Sequence, residues 1–80
     1  MKIPAIKHLV ETHSLSELRA AEDALLEEQP PAFAIPGDDD GEQLTHVLAA
    51  VWIHHYMDEH GVVFPVALRE YTKKVRVSIN

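Results

Sequence analysis

The fold is decided by residues 40–61, DGEQLTHVLAAVWIHHYMDEHG. This stretch predicts one long helix over residues 41–60, because Asp40 and Gln43 have the spacing of a capping box and Gly61 suits the position after a helix. At about 1.5 Å per residue, such a helix is roughly 30 Å long. Its apolar residues fall on two opposite sides, and each side must be buried against another part of the chain or against another molecule.

The two apolar sides of this helix predict different contacts. Leu44, Val47, Leu48 and Val51 share one side, which we expect to be the intramolecular core face. The opposite side carries a second apolar series, called the seam below. The seam consists of His46, Ala50, Ile53, Met57 and His60.

The seam predicts a homodimer. Its spacings of four, three, four and three residues are symmetric about Ile53, so an antiparallel copy places Ala50 against Met57 and His46 against His60. Two alternatives remain open. The first and fourth helices can cover the seam within one chain, or a different protein can cover it.

Two shorter helices precede the long one. Pro4 suits the first turn of a helix over residues 4–12, although Lys2–Val10 also fits an edge strand. Ser14 and Glu17 make a capping box that begins a second helix, and the prolines at positions 30 and 31 end it near Gln29.

The remaining segments are a connector and a fourth helix. Residues 30–39 predict an irregular connector that Phe33 and Ile35 pin to the core. Pro65 begins the fourth helix, and its apolar residues recur at helical spacing. These residues are Phe64, Leu68, Tyr71, Val75 and Ile79. The sequence therefore predicts a single all-α domain over residues 1–80, with four helices and the last two forming an antiparallel hairpin.

Composition limits the classes of partner. The chain has 80 residues, no cysteine and a net charge of −6, which disfavours nucleic acid and anionic membranes. No secretory signal and no apolar run of about 18 residues is present, so we expect a cytoplasmic protein without a membrane partner. A domain this small, without disulfides, is commonly stabilised by oligomerisation.

Two groups of residues are candidates for chemistry. Glu42 and His46 lie one turn apart, and His60 can join them only across a dimer axis, which makes a weak candidate for a metal site. Glu22 and His55 interrupt apolar stripes and can form a buried acid–base pair, or each can keep its polar end in water at the rim. We expect no cofactor.

Other chemical sites find no support. The run Asp38–Gly41 resembles part of a calcium loop, but Pro36 and Val47 stand where that loop needs carboxylates. Lys73, Lys74 and Arg76 are more typical of a helix C-terminus than of an anion site. No serine or threonine has the surroundings of a nucleophile.

Three segments carry a family resemblance: MKIPAIKHLVE at residues 1–11, GEQLTHVLAA at 41–50 and YTKKVR at 71–76. They resemble a family of short bacterial proteins, mainly from Bacteroidota, known only as a domain of unknown function. The resemblance implies a stand-alone cytoplasmic protein of about this size. It brings no activity, cofactor or catalytic residue.

The sequence thus favours a small non-catalytic interaction or scaffold protein that assembles as a homodimer through the third helix. The alternative is a metal-dependent or acid–base enzyme. Its site is then built from Glu42, His46 and His60 across the dimer, or from Glu22 with His55.

Overall fold

A computed structural model describes residues 2–79 of the chain and the side chains of residues 2–75. It contains α1 (Ile3–Thr12), α2 (Leu15–Leu26), α3 (Asp40–His60) and α4 (Phe64–Ile79). The all-α prediction is confirmed, since no strand occurs between residues 2 and 79. The side chains of Arg76 and Ile79, which entered the sequence analysis, lie outside the described part.

The N-termini of α1 and α2 follow the predicted local signals. Residues 3–12 form a helix with Pro4 in its first turn, so the edge-strand alternative is wrong. At the start of α2 the Glu17 N–H donates to the Ser14 hydroxyl at 3.2 Å, and the Ser14 N–H donates to the Glu17 carboxylate at 2.8 Å. This second bond holds the pKa of Glu17 below its ordinary value.

The end of α2 differs from the prediction. The helix ends at Leu26 and not near Gln29, because Glu28 adopts a left-handed conformation with φ of 58°. The Gln29 N–H then donates to the Ala24 carbonyl at 2.8 Å, as in a Schellman motif. A glutamate rarely takes this conformation, which glycine adopts without steric cost.

The long helix α3 has the predicted length and a cap shifted by one residue. Asp39, and not Asp40, caps it, because the Asp39 carboxylate accepts the Glu42 N–H at 2.7 Å. At the other end Gly61 has φ of 63° and its N–H donates to the Met57 carbonyl at 2.8 Å, which confirms the predicted stop.

The helices α1, α2 and α4 each pack on α3 and contact one another little. The connector is pinned as predicted, since Ile35 is buried and the Phe33 ring stacks on His13 with centroids 3.6 Å apart. The buried apolar core comprises Ile6, Leu9, Val10, Leu18, Ala21, Ile35, Val47, Ala49, Ala50, Ile53, Phe64 and Ala67. Within residues 2–79, no helix combines the length and apolarity that crossing a bilayer requires.

Candidate functional site

The seam lies mostly inside the chain. His46, Ala50 and Ile53 have 0% of their surface exposed, because α1 packs across this side of α3. Side chains without exposed surface cannot touch a second copy, so this part of the predicted dimer interface is wrong. Met57 is half-buried and His60 is exposed. The helix α1 is only ten residues long, and its two ends lie beside His46 and Met57 of the seam.

His46 links α1, the connector and α3. The Lys2 backbone N–H donates to its Nε2 at 2.9 Å, and its Nδ1 lies 2.7 Å from the Pro36 carbonyl oxygen. A carbonyl only accepts and a backbone N–H only donates, so His46 is neutral with its proton on Nδ1. Neither nitrogen has a lone pair free for a metal, which removes His46 from the predicted set with Glu42 and His60. Among the described residues, no three histidine or acidic side chains are arranged to hold an ion.

The predicted buried pair of Glu22 and His55 is also wrong. The His55 side chain is 52% exposed, and its Nε2 lies 3.0 Å from a carboxylate oxygen of Glu59 on the same helix. His54 and Asp58 make the same one-turn contact at 3.0 Å. They are surface contacts of α3, and Glu22 makes no ion pair among residues 2–75.

The side of α3 opposite the seam is less covered than the sequence predicts. Of the four residues assigned to the core face, Val47 is fully buried, Leu44 and Val51 are half-buried, and Leu48 is 42% exposed. The two apolar sides of α3 thus exchange the roles expected of them. The predicted interface is largely core, and the predicted core face is partly open to solvent.

This uncovered side extends from α3 to its neighbours. Leu26 of α2 is 58% exposed, and α2 ends beside the first turns of α3, where Leu25 and Leu44 line the same groove. We call the surface made by Leu26, Leu44, Leu48, Val51 and Trp52 the open face. Sequence reasoning missed Leu26 and Trp52 as members of this surface, because their exposure depends on where α2 and α4 lie.

Aromatic rings border the open face on the α4 side. The Trp52 ring lies 5.0 Å from Tyr56 and 5.5 Å from Tyr71, measured between centroids. Burial raises the pKa of Tyr71. These ring contacts place Trp52 at the edge of the open face that α4 borders.

The family model DUF6952, described as a family of unknown function, matches residues 1–80. The chain belongs to this family. Searches of curated proteins and of solved structures each found no match. Membership of DUF6952 confirms the resemblance to a domain of unknown function and assigns no activity, so the functional argument depends on the surface itself.

Two grooves in the described part of this DUF6952 chain are large enough for a small molecule. One, of about 390 Å³, lies between the end of α2 and the start of α3, and the other, of about 440 Å³, lies between α1 and the turn after α3. Their lining residues include carboxylates, amides and one lysine, but no histidine, serine, threonine or tyrosine. Neither groove therefore contains a hydroxyl nucleophile with a histidine base.

Proposed function

We propose that this protein is a small non-catalytic interaction protein that assembles as a homodimer through the open face of α3. The observation that carries the proposal is the exposure of Leu48, at 42%, in the middle of an apolar strip. A single exposed leucine is ordinary in a soluble protein. Several exposed or half-buried apolar side chains on one side of a helix are instead typical of a surface that meets another molecule.

The spacing of the strip fits a second copy. Leu44, Leu48 and Val51 recur at intervals of four and three residues, the pattern by which two helices pack side by side. When two copies cross antiparallel between positions 48 and 51, Leu48 of one copy faces Val51 of the other. Leu48 and Val51 then serve both copies, as a twofold interface requires, and Leu44 of each copy faces His55 of the other at the ends of the contact. This interface replaces the seam that the sequence predicted.

A catalytic role has less support. His46, the central histidine of the predicted metal site, uses both ring nitrogens in hydrogen bonds to backbone groups. His55, the predicted base, is exposed and paired with Glu59. Without these two residues, neither of the predicted enzyme sites keeps its full set of groups. We therefore do not propose an enzyme.

Sedimentation equilibrium tests the proposal. The wild-type chain and Leu48→Glu are compared from about 5 to 500 µM, a range that detects even weak association. Val63→Glu is the matched control, because Val63 is 64% exposed and lies outside the open face. We expect dimerisation by the wild type and the control, and none by Leu48→Glu. A wild type that stays monomeric, or a Leu48→Glu variant that still dimerises, contradicts the proposal.

A further inference from the structure

We propose that His46 is an acid-sensitive latch, in which a proton bound at Nε2 releases the N-terminal end of α1 from α3. This latch lies within one chain, so it does not depend on the homodimer. Three observations support it: the two hydrogen bonds of the His46 ring, the burial of the ring, and the position of its partner Lys2 at the start of α1.

The two hydrogen bonds of the His46 ring respond differently to a proton. In the neutral ring, Nδ1 donates to the Pro36 carbonyl at 2.7 Å and Nε2 accepts the Lys2 N–H at 2.9 Å. A further proton binds the lone pair of Nε2, because Nδ1 already carries a hydrogen. The Lys2 N–H then loses its acceptor, while the bond to Pro36 is kept. Protonation therefore breaks the connection to α1 and not the connection to the connector.

The burial of His46 couples proton uptake to a local opening. The ring has 0% exposed surface, and it is the single buried polar side chain among residues 2–75. A charge in such a place, facing an N–H group that can only donate, is costly. The proton therefore binds a form in which the Lys2 bond is broken and water reaches Nε2. Acid favours this open form by mass action.

Lys2 is the residue at which α1 begins. Its carbonyl oxygen accepts the N–H groups of Ala5 at 3.1 Å and Ile6 at 3.3 Å, which are the first hydrogen bonds of the helix. No side chain caps this end of α1. The bond from the Lys2 N–H to His46 fixes this first turn on α3, so its loss loosens α1 from its N-terminal end.

The latch controls access to the middle of the seam. The N-terminal end of α1 is bonded to His46, and its C-terminal end lines a groove with Met57. Between these two positions lie Ala50 and Ile53 of the seam, both without exposed surface. When α1 loosens, this part of the seam opens to solvent. Proton uptake is thus linked to exposure of a second apolar side of α3.

Three charged groups accompany the latch. The Lys2 ammonium lies 3.8 Å from a carboxylate oxygen of Asp38 and 3.7 Å from one of Glu42. These residues belong to the start of α1, the connector and α3, the three segments that meet at His46. Ordinary carboxylates keep their charge above about pH 5.5, whereas imidazoles change theirs between about pH 5 and 8. A comparison of pH 7.5 with pH 5.5 therefore tests the histidine and not the ion pairs.

Hydrogen exchange of the α1 amides, followed by mass spectrometry, tests the latch. Protection of residues 3–12 is measured at both pH values and corrected for the intrinsic effect of pH on exchange. A histidine in water gains its proton at about pH 6.5, so the open form is favoured by up to about tenfold at pH 5.5. We expect α1 of the wild type to lose protection by about three- to tenfold, and to be less protected than α3 at both pH values.

Two glutamine variants show which histidine is responsible. His46→Gln retains an N–H donor and an oxygen acceptor but takes up no proton, so we expect its α1 protection to change by less than about twofold. His8→Gln is the matched control, because His8 lies exposed on α1 itself, and we expect it to behave as the wild type. Nitrogen-15 NMR of the wild type adds a measurement that needs no variant. The Lys2 amide signal is expected to shift with the same midpoint as the His46 Nε2 signal.

Several results overturn the proposal. One is wild-type α1 protection that stays constant between the two pH values, or that falls equally in His46→Gln. Another is loss of the effect in His8→Gln, which assigns it to an exposed histidine. Equal protection of α1 and α3 shows global unfolding in place of a local release. In the NMR titration, a proton on His46 Nε2 with an unchanged Lys2 amide signal contradicts the coupling directly.

Discussion

Replacing Ile53 by alanine tests whether the seam is core or interface. Ile53 has no exposed surface and lies among the buried residues of the core. Removing this much of a buried isoleucine typically costs about 2–5 kcal/mol, including the cavity that remains. A chain of 80 residues has a total unfolding free energy of roughly 4–12 kcal/mol. We therefore expect Ile53→Ala to lose a large share of its stability.

The same change at Leu48 is the matched control. Leu48 lies on the same helix and is 42% exposed, so its replacement by alanine removes less buried surface and is expected to cost under about 1 kcal/mol. The two variants thus differ mainly in which face of α3 they alter. Both are measured at low protein concentration, where association through the open face adds no stability.

Urea unfolding is the assay, followed by far-ultraviolet circular dichroism and by the fluorescence of Trp52. Trp52 is the single tryptophan of the chain, and its contacts with Tyr56 and Tyr71 make it sensitive to the packing of α3 on α4. Agreement of the two signals supports a two-state analysis. If Ile53→Ala keeps its stability within about 0.5 kcal/mol and loses association instead, the burial argument is refuted and the seam is the interface.

Three further predictions concern single groups. His46→Leu leaves the Lys2 N–H and the Pro36 carbonyl without their hydrogen-bond partner, and we expect it to lower the free energy of unfolding in urea by about 1–3 kcal/mol. His46→Gln is expected to lose less. A leucine variant as stable as the wild type contradicts the role given to these hydrogen bonds. Glu28→Gly removes the strain of a left-handed backbone at a residue with a side chain, so we expect the free energy of unfolding to rise by about 0.5–1 kcal/mol. The thermal midpoint should then be several degrees higher, and an unchanged midpoint argues against strain. For Tyr71, the folded pKa is raised above 10, so the unfolded chain loses the phenol proton first and stability falls as pH rises through this range. We expect Tyr71→Phe to lose less stability than the wild type between pH 8 and pH 10.5, measured as the change in urea midpoint. An equal fall in the midpoints of the two proteins contradicts the raised pKa of Tyr71.

Most of the fold follows from short-range signals. The capping box of Ser14 and Glu17 and the glycine at position 61 each act within one turn of a helix, so the sequence alone reveals them. The errors in the predicted helix ends also arise from interactions within about one turn. Asp39 competes with its neighbour for the cap of α3, and Glu28 ends α2 early by adopting a conformation that propensity assigns to glycine.

The faces of α3 could not be assigned in this way. Both sides carry apolar residues at helical spacing, so periodicity shows that each needs a cover and does not show which is covered by α1. That choice depends on packing between segments distant in sequence. His46 shows the difficulty most clearly, because its two partners, Lys2 and Pro36, lie 44 and 10 residues away. A histidine in an apolar stripe is compatible with an interface, a metal site or a buried structural role until those partners are known.

Because the two apolar sides of α3 exchange roles, the proposed dimer contact moves from the seam to the open face. The physical reason is the same, an apolar side of α3 that the chain itself leaves uncovered. With α1 covering the seam and α2 and α4 at the flanks, no segment of residues 2–75 covers Leu48 and Leu26. Folding of the monomer does not require leucine at either exposed position. The proposed twofold contact does use leucine at these positions, because apolar side chains exclude water at the centre of an interface. The proposal therefore depends on the apolar side chains of the open face and no longer on the seam.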